Sequence, residues 1–140
     1  MLTEANKAVA RDFYEAIKAY NEGDELALER VLAPSFVNHR PLAGQTPDIE
    51  GLKLPAFHQA FSQIHVTILD QIAEEDKVVD VTAWSLLHTG EFMGVPATGK
   101  RISYTEINVL RVVDGMVVER WGLPDEIHIL QQLGIVSLQA

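Results

Sequence analysis

No cysteine occurs in the 140 residues, which excludes disulfides, zinc ribbons, iron–sulfur clusters and a thiol nucleophile. Basic residues are scarce. Eleven Lys and Arg face 20 Asp and Glu, a formal charge of −9 with His neutral, and no basic face or charged tail is formed. Nucleic acid and anionic membrane surfaces are therefore not expected as partners. No apolar run approaches the roughly 18 residues of a membrane span, and Met1-Leu2-Thr3-Glu4 lacks the basic and apolar regions of a signal peptide. The expectation is a soluble, cytoplasmic chain. Repeats, low-complexity segments, βαβ alternation and a glycine-rich phosphate loop are also missing, which disfavours a nucleotide-binding fold. What remains is 47% apolar and 22% charged, enough to build one domain over residues 1–140 around a sizeable core.

Val9, Phe13, Ala16, Ile17 and Tyr20 form one stripe of an amphipathic helix, with Thr3 as its expected cap and Gly23 as its end. Asp24 is expected to cap a second helix whose face is Leu28, Val31 and Leu32, stopped by Pro34. Pro41, Gly44, Pro47 and Gly51 mark a loop over residues 41–51, and loops of that length often cover a site. A third helix is expected from Pro55, burying Leu54, Phe57, Phe61 and Ile64. The period then changes to two. Val66–Ile72, Val78–Leu87, Ile102–Val113 and Met116–Leu123 read as strands, with turns at Glu74-Glu75-Asp76 and Asp114-Gly115. A short helix is expected over Glu126–Leu133, ended by Gly134. Helices followed by hairpin-connected strands predict an α+β fold: a curved antiparallel sheet wrapped by three N-terminal helices.

Polar residues on a sheet face that should be buried carry the most information. In strand 102–112, Tyr104, Glu106 and Asn108 share a face that is apolar at both ends, as in a pocket with convergent polar groups. The structural alternative pairs Glu106 with Arg111 or Arg120 on an exposed face. Asp125 follows Trp121-Gly122-Leu123-Pro124, where desolvation would raise its pKa for acid–base work. Equally, Asp is a favoured helix cap and a helix begins directly after it. His39 and His88 each end an apolar stretch and are candidate proton shuttles or substrate donors, or else structural residues. The five histidines form no HxH or HExxH pattern, so no metal site is expected. No GxSxG motif supports a serine triad.

The segments His88-Thr89-Gly90-Glu91-Phe92-Met93-Gly94-Val95-Pro96-Ala97-Thr98-Gly99-Lys100, Leu110-Arg111-Val112-Val113-Asp114-Gly115, Glu119-Arg120-Trp121-Gly122-Leu123-Pro124-Asp125 and Gln131-Gln132-Leu133-Gly134 closely resemble those of SnoaL-like polyketide cyclases. That family belongs to the nuclear-transport-factor-2-like superfamily. Phe13-Tyr14, Leu32-Ala33-Pro34-Ser35-Phe36-Val37-Asn38-His39 and Gly51-Leu52-Lys53 with Phe57 extend the resemblance over nearly the whole chain. It implies a cone-shaped α+β barrel with a deep apolar cavity, and ring closure by an intramolecular aldol reaction without metal or organic cofactor. It also implies Asp125 as the acid/base and His39 and His88 as pocket histidines. Glu106, Asn108 and Trp121 are the implied pocket lining, and Tyr104, Phe36 and Trp84 are further candidate substrate-binding residues. Many relatives carry an Arg in the strand before His-Thr-Gly, where this chain has Asp80-Val81-Thr82.

The leading expectation is thus a cyclase-like enzyme acting on a hydrophobic carbonyl compound. A non-catalytic module holding an apolar metabolite is the alternative of another class. Epoxide hydrolysis by Asp125, Arg111 and Asp80 is disfavoured, because Arg111 has the opposite parity to Glu106 and Asn108. Ile107 and Val109 on the other sheet face predict a homodimer or higher oligomer.

Overall fold

The computed structural model describes residues 2–41, 45–53 and 55–137. Part of the expected 41–51 loop, and Leu54, lie outside them. The first helix, α1 (Leu2–Asn21), buries Ala10, Phe13, Tyr14 and Ala16. It begins before Thr3, which is therefore not its cap. Gly23 follows in the left-handed region at φ 111°. The expected second helix reduces to a single 3-10 turn over Leu28–Arg30, and the chain then extends as β1 (Leu32–Asn38) through Pro34. Proline is tolerated there because β1 is an edge strand and its missing N–H faces no partner.

Two short helices, α2 (Ile49–Leu52) and α3 (Pro55–Ala60), precede the long strands. Asp48 caps α2 by accepting from the Gly51 N–H at 3.2 Å. Phe61 and Ile64 are buried as expected, but in a strand. β2 (Phe61–Glu74) has an irregularity between Ser62 and His65, with Gln63 at φ 48°, and this puts residues three apart on one face.

The strands β3 (Lys77–His88), β4 (Arg101–Val113) and β5 (Met116–Pro124) follow, and α4 (Glu126–Gln132) ends the described elements. The sheet order is β1-β5-β4-β3-β2. Four strands form an antiparallel meander, but β1 lies parallel to β5, with Leu32 opposite Val117 and Asn38 opposite Arg120. The curved sheet is mixed rather than wholly antiparallel, and one long helix with short helical turns replaces the three helices expected.

Helix α1 covers the inner face of the sheet. Its Phe13 is fully buried, and truncating such a residue to Ala costs about 3–5 kcal/mol. Polar ties fix its position. Asn6 donates to the Glu75 carbonyl at 3.3 Å, Arg11 to Gln71 Oε1 at 3.0 Å, and Gln71 to the Lys7 carbonyl at 3.1 Å. Among the described residues, no helix is long and apolar enough to cross a membrane.

Candidate active site

Strand alternation puts Asp80, Thr82, Trp84, Leu86 and His88 of β3 on the inner face, with Ile102, Tyr104, Glu106, Asn108 and Leu110 of β4. The register sets Asp80 opposite Asn108, Thr82 opposite Glu106 and Trp84 opposite Tyr104. From β5, Arg120 joins this face beside Gly122, which lies opposite Asn108. The Arg120 guanidinium donates from Nε to Asn108 Oδ1 at 2.9 Å and from Nη2 to Glu106 Oε1 at 3.2 Å. Asn108 Nδ2 donates to the same Glu106 oxygen at 2.6 Å. Glu106 is thus paired with Arg120, one of the two partners weighed for it, but inside the protein. A buried charge pair needs further hydrogen bonds to offset its desolvation, and here Asn108 bonds to both partners.

A second polar pair lies under α1. Tyr14 Oη donates to Asp80 Oδ2 at 2.7 Å, while Asp80 Oδ1 is buried with no hydrogen-bond partner. An unsatisfied buried oxygen costs about 1–3 kcal/mol. Burial pushes the Asp80 carboxyl above the usual carboxylate range, opposed by the hydroxyl of Tyr14, the Gln71 side chain and the charge of Arg11. Burial, and then the neighbouring Asp80, raise the Tyr14 phenol so that it remains a donor. Trp84 Nε1 donates to Thr82 Oγ1 at 2.9 Å, and Thr82 donates to the Glu106 carbonyl at 2.8 Å. The Trp84 and Tyr104 rings stack at 6.1 Å with an interplanar angle of 3°. Burial also raises the Tyr104 phenol.

The remaining expected residues divide between the two faces. Phe36 and His88 are interior. His88 Nδ1 accepts from the Thr98 N–H at 3.3 Å and lies 3.0 Å from Thr98 Oγ1, while its Nε2 is buried and unpartnered; Phe61 packs 5.5 Å from the ring. His39 and Trp121 stand on the outer face. Trp121 is opposite Val109, its ring stacks on His39 at 4.4 Å, and Lys77 Nζ lies 5.8 Å from its centroid. Trp121 therefore does not line the inner face as expected.

Asp125 sits where β5 ends, and its backbone N–H donates to the Thr105 carbonyl. Its exposed carboxylate caps α4 by accepting from the His128 N–H at 3.3 Å. It also lines an open hollow of about 420 Å³ with Ala83, Trp84, Ser103, Tyr104, Thr105 and His128, of which Ala83, Ser103 and Thr105 belong to the outer face. His39 and His88 are not in that wall. Arg111 pairs with Asp76 at 2.8 Å on the outer face, so Arg111, Asp80 and Asp125 do not converge. Among the described residues, no three His, Asp or Glu side chains gather to hold a metal ion.

Sequence reasoning missed Tyr14 and the inward course of Arg120. Ala10 and Tyr14 are four apart and extend the stripe of α1. Counting back from the Asp114-Gly115 turn would have needed the register shift between Arg111 and Val112, which the residues do not announce.

The comparisons with known proteins agree with this architecture. The family model for SnoaL-like polyketide cyclases matches residues 8–133. The aklanonic acid methyl ester cyclase DnrD of Streptomyces peucetius is 34% identical over 128 residues, covering 84% of this chain and 85% of its own. The aklanonic acid methyl ester cyclase DauD of Streptomyces sp. (strain C5) is 32% identical over 127 residues, covering 84% of this chain and 76% of its own. Among solved structures, AclR of Streptomyces galilaeus, a proposed hydroxylase, superposes with a TM-score of 0.81 at 28% identity, covering 99% of this chain and 86% of its own. IdmH of Streptomyces antibioticus, a proposed cyclase, gives 0.77 at 34% identity, covering 92% and 98%. With a family match spanning most of its length and a sheet whose buried face carries hydrogen-bonded acid, amide and guanidinium groups, the chain is a polyketide cyclase of the SnoaL-like family.

Proposed function

We propose that the chain closes a carbocycle in a hydrophobic polyketide by an intramolecular aldol reaction, without a cofactor, on a substrate of the aklanonic acid methyl ester type. The observation that carries this reading is the hydrogen-bonded group of Arg120, Glu106 and Asn108 on the buried inner face, among Leu110, Tyr104 and Trp84 and beside Asp80, Thr82 and His88. Fixed donors in a dry interior favour charge that develops on an enolate or alkoxide oxygen. Arg120 and Asn108 would bind the substrate's oxygens, with Phe36, Trp84 and Tyr104 against its rings in the apolar cavity expected of this fold.

Asp125, at the end of β5, is the base in this reading and takes the acidic proton from carbon between two carbonyls. Its exposed side chain, one residue past Pro124, which lies opposite Glu106, supports access to substrate. The histidine roles narrow. His88, with an unpartnered Nε2 on the inner face, is the histidine that would bind an enolate oxygen, and His39 is left to the outer face. That outer face leaves Leu69, Ile72, Ile107 and Leu123 58%, 62%, 47% and 58% exposed, a surface suited to a second copy of the chain.

The test is ring closure of aklanonic acid methyl ester by the parent and by Asp125→Asn. Loss of at least about a hundredfold, the usual scale of general-base catalysis, is expected. Turnover within a few-fold of the parent would remove Asp125 from the mechanism.

A further inference from the structure

Strand β5 ends at Pro124, opposite Glu106, so among the described residues the stretch of β4 from Arg101 to Thr105 has no strand on that side. Helix α4 takes its place. The Asp125 N–H continues the ladder by one bond, to the Thr105 carbonyl at 2.9 Å. Two residues back along β4, the Gln132 side chain supplies what a strand would supply from its backbone. Its Oε1 accepts from the Ser103 N–H at 2.9 Å and its Nε2 donates to the Ser103 carbonyl at 2.7 Å. Nε2 also donates to the His128 carbonyl at 2.9 Å, so the amide uses its oxygen and both its protons. His128 in turn donates its N–H to Asp125 Oδ1 at 3.3 Å. We propose that Gln132 is a positioning residue for the ring closure, aiming the Asp125 carboxylate by fastening α4 to the free edge of β4. This rests on the cyclase reading with Asp125 as base.

The rest of α4 does little to fix its direction. A helix of seven residues is not stable alone, and none of the seven is buried. Ile129 is half-buried against the core and Leu133, just past the helix, is buried, but such apolar contacts are non-directional. Arg40 and Glu126, 3.8 Å apart, make an exposed ion pair that adds little. Without Gln132 the helix keeps a single hydrogen bond to β4, at Thr105, about which it can pivot. With Gln132 it is held at Thr105 and at Ser103, two points on one strand edge. Direction matters for a base, because a misplacement of about 1 Å costs on the order of a hundredfold in rate. Gln132 itself takes no proton; it acts through His128, whose carbonyl it holds and whose N–H holds the carboxylate.

The full-length parent is compared with Gln132→Met, Asp125→Asn and the double variant, with aklanonic acid methyl ester as substrate. Methionine keeps the length of glutamine and removes its three bonds. Gln132→Met is expected to lose about tenfold or more in kcat with KM within about threefold of the parent, whereas damage to the binding face would raise KM. In the Asp125→Asn background the same substitution should change turnover by less than about twofold, because no base is left to aim. Amide hydrogen exchange at Ser103 and His128 should be about tenfold faster or more in Gln132→Met. Gln132→Glu covers the case in which Gln132→Met does not fold. It keeps the acceptor for the Ser103 N–H and sets a carboxylate against the carbonyls of Ser103 and His128, with the same fall in kcat expected. A kcat equal to the parent's in the folded variant, an equal loss in both backgrounds, or unchanged exchange at the two amides would each overturn the proposal. Turnover by Asp125→Asn within a few-fold of the parent fails the base reading instead, and exchange at the two amides then decides whether Gln132 fastens α4.

Discussion

Arg120 occupies the space that a side chain on Gly122 would need. A Cβ there would lie 2.5 Å from Arg120 Nη2 and 2.9 Å from Asn108 Oδ1. Glycine at this strand position admits the guanidinium to the inner face. Gly122→Ala should therefore dislodge Arg120 from Glu106, with the loss of charge-assisted bonds worth about 1.5–3 kcal/mol. Arg120→Met leaves Glu106 charged and unpaired, at a cost of about 3–5 kcal/mol for a buried pair. The double variant Arg120→Met/Glu106→Gln is expected to be more stable than Arg120→Met alone. Urea denaturation of the three proteins checks the order.

His58 gives the fold an acid-sensitive joint. It lies 3.0 Å from the Leu52 carbonyl and 3.1 Å from Asn21 Nδ2, which fits a neutral ring donating from Nε2 and accepting at Nδ1. Burial lowers its pKa below the ordinary 6.5. As pH falls through 6.5 the unfolded chain takes up a proton that the folded chain refuses, so stability declines until the folded ring also titrates. The parent's melting temperature should drop between pH 7 and pH 5 by more than that of His58→Gln. Equal drops would show that this histidine does not contribute.

Asp125 has two duties that substitution can separate. Asn is as good a helix cap as Asp, whereas Ala forfeits the bond to the His128 N–H, typically about 1 kcal/mol. Thermal unfolding should find Asp125→Asn close to the parent and Asp125→Ala lower. Loss of ring closure in the Asn variant would then be chemical rather than structural.

The outer sheet face is expected to hold two copies together. Ile107→Asp places a charge at its centre, where burial against a partner would be costly. Sedimentation should show the parent as a dimer or larger at micromolar concentration and the variant as a monomer. A parent that sediments as a monomer would overturn the assembly.

The alternation in 102–112 made the inward Tyr104, Glu106 and Asn108 legible, because a half-buried strand writes its two faces into alternate residues. Turns at Glu75 and at Asp114-Gly115 were legible for a related reason. Asp114 and Gly115 adopt φ of 52° and 77°, which Asp and Gly tolerate, while Glu75 takes φ 54° in the polar turn between two long strands. What misled the reading was irregular pairing. The bulge after Ser62 spaces Phe61 and Ile64 as a helix would, and Leu28, Val31 and Leu32 fit a helical face although Leu32 opens a strand. Of the candidate site, the members on one strand were visible together. Those brought in from α1, β3 and β5 depended on register, which no local pattern encodes.

Among the described residues β1 pairs with no strand but β5, so Leu32 leaves the ribosome long before its neighbour Val117 exists. At roughly 5–20 residues per second the wait is several seconds, during which a strand bearing Leu32, Phe36 and Val37 has no native partner. Pro34 near its start removes a backbone donor and blunts wrong pairing in that interval. A replacement that improves β1 as a strand, such as Pro34→Val, would then lower soluble yield during synthesis even while the finished protein tolerates it.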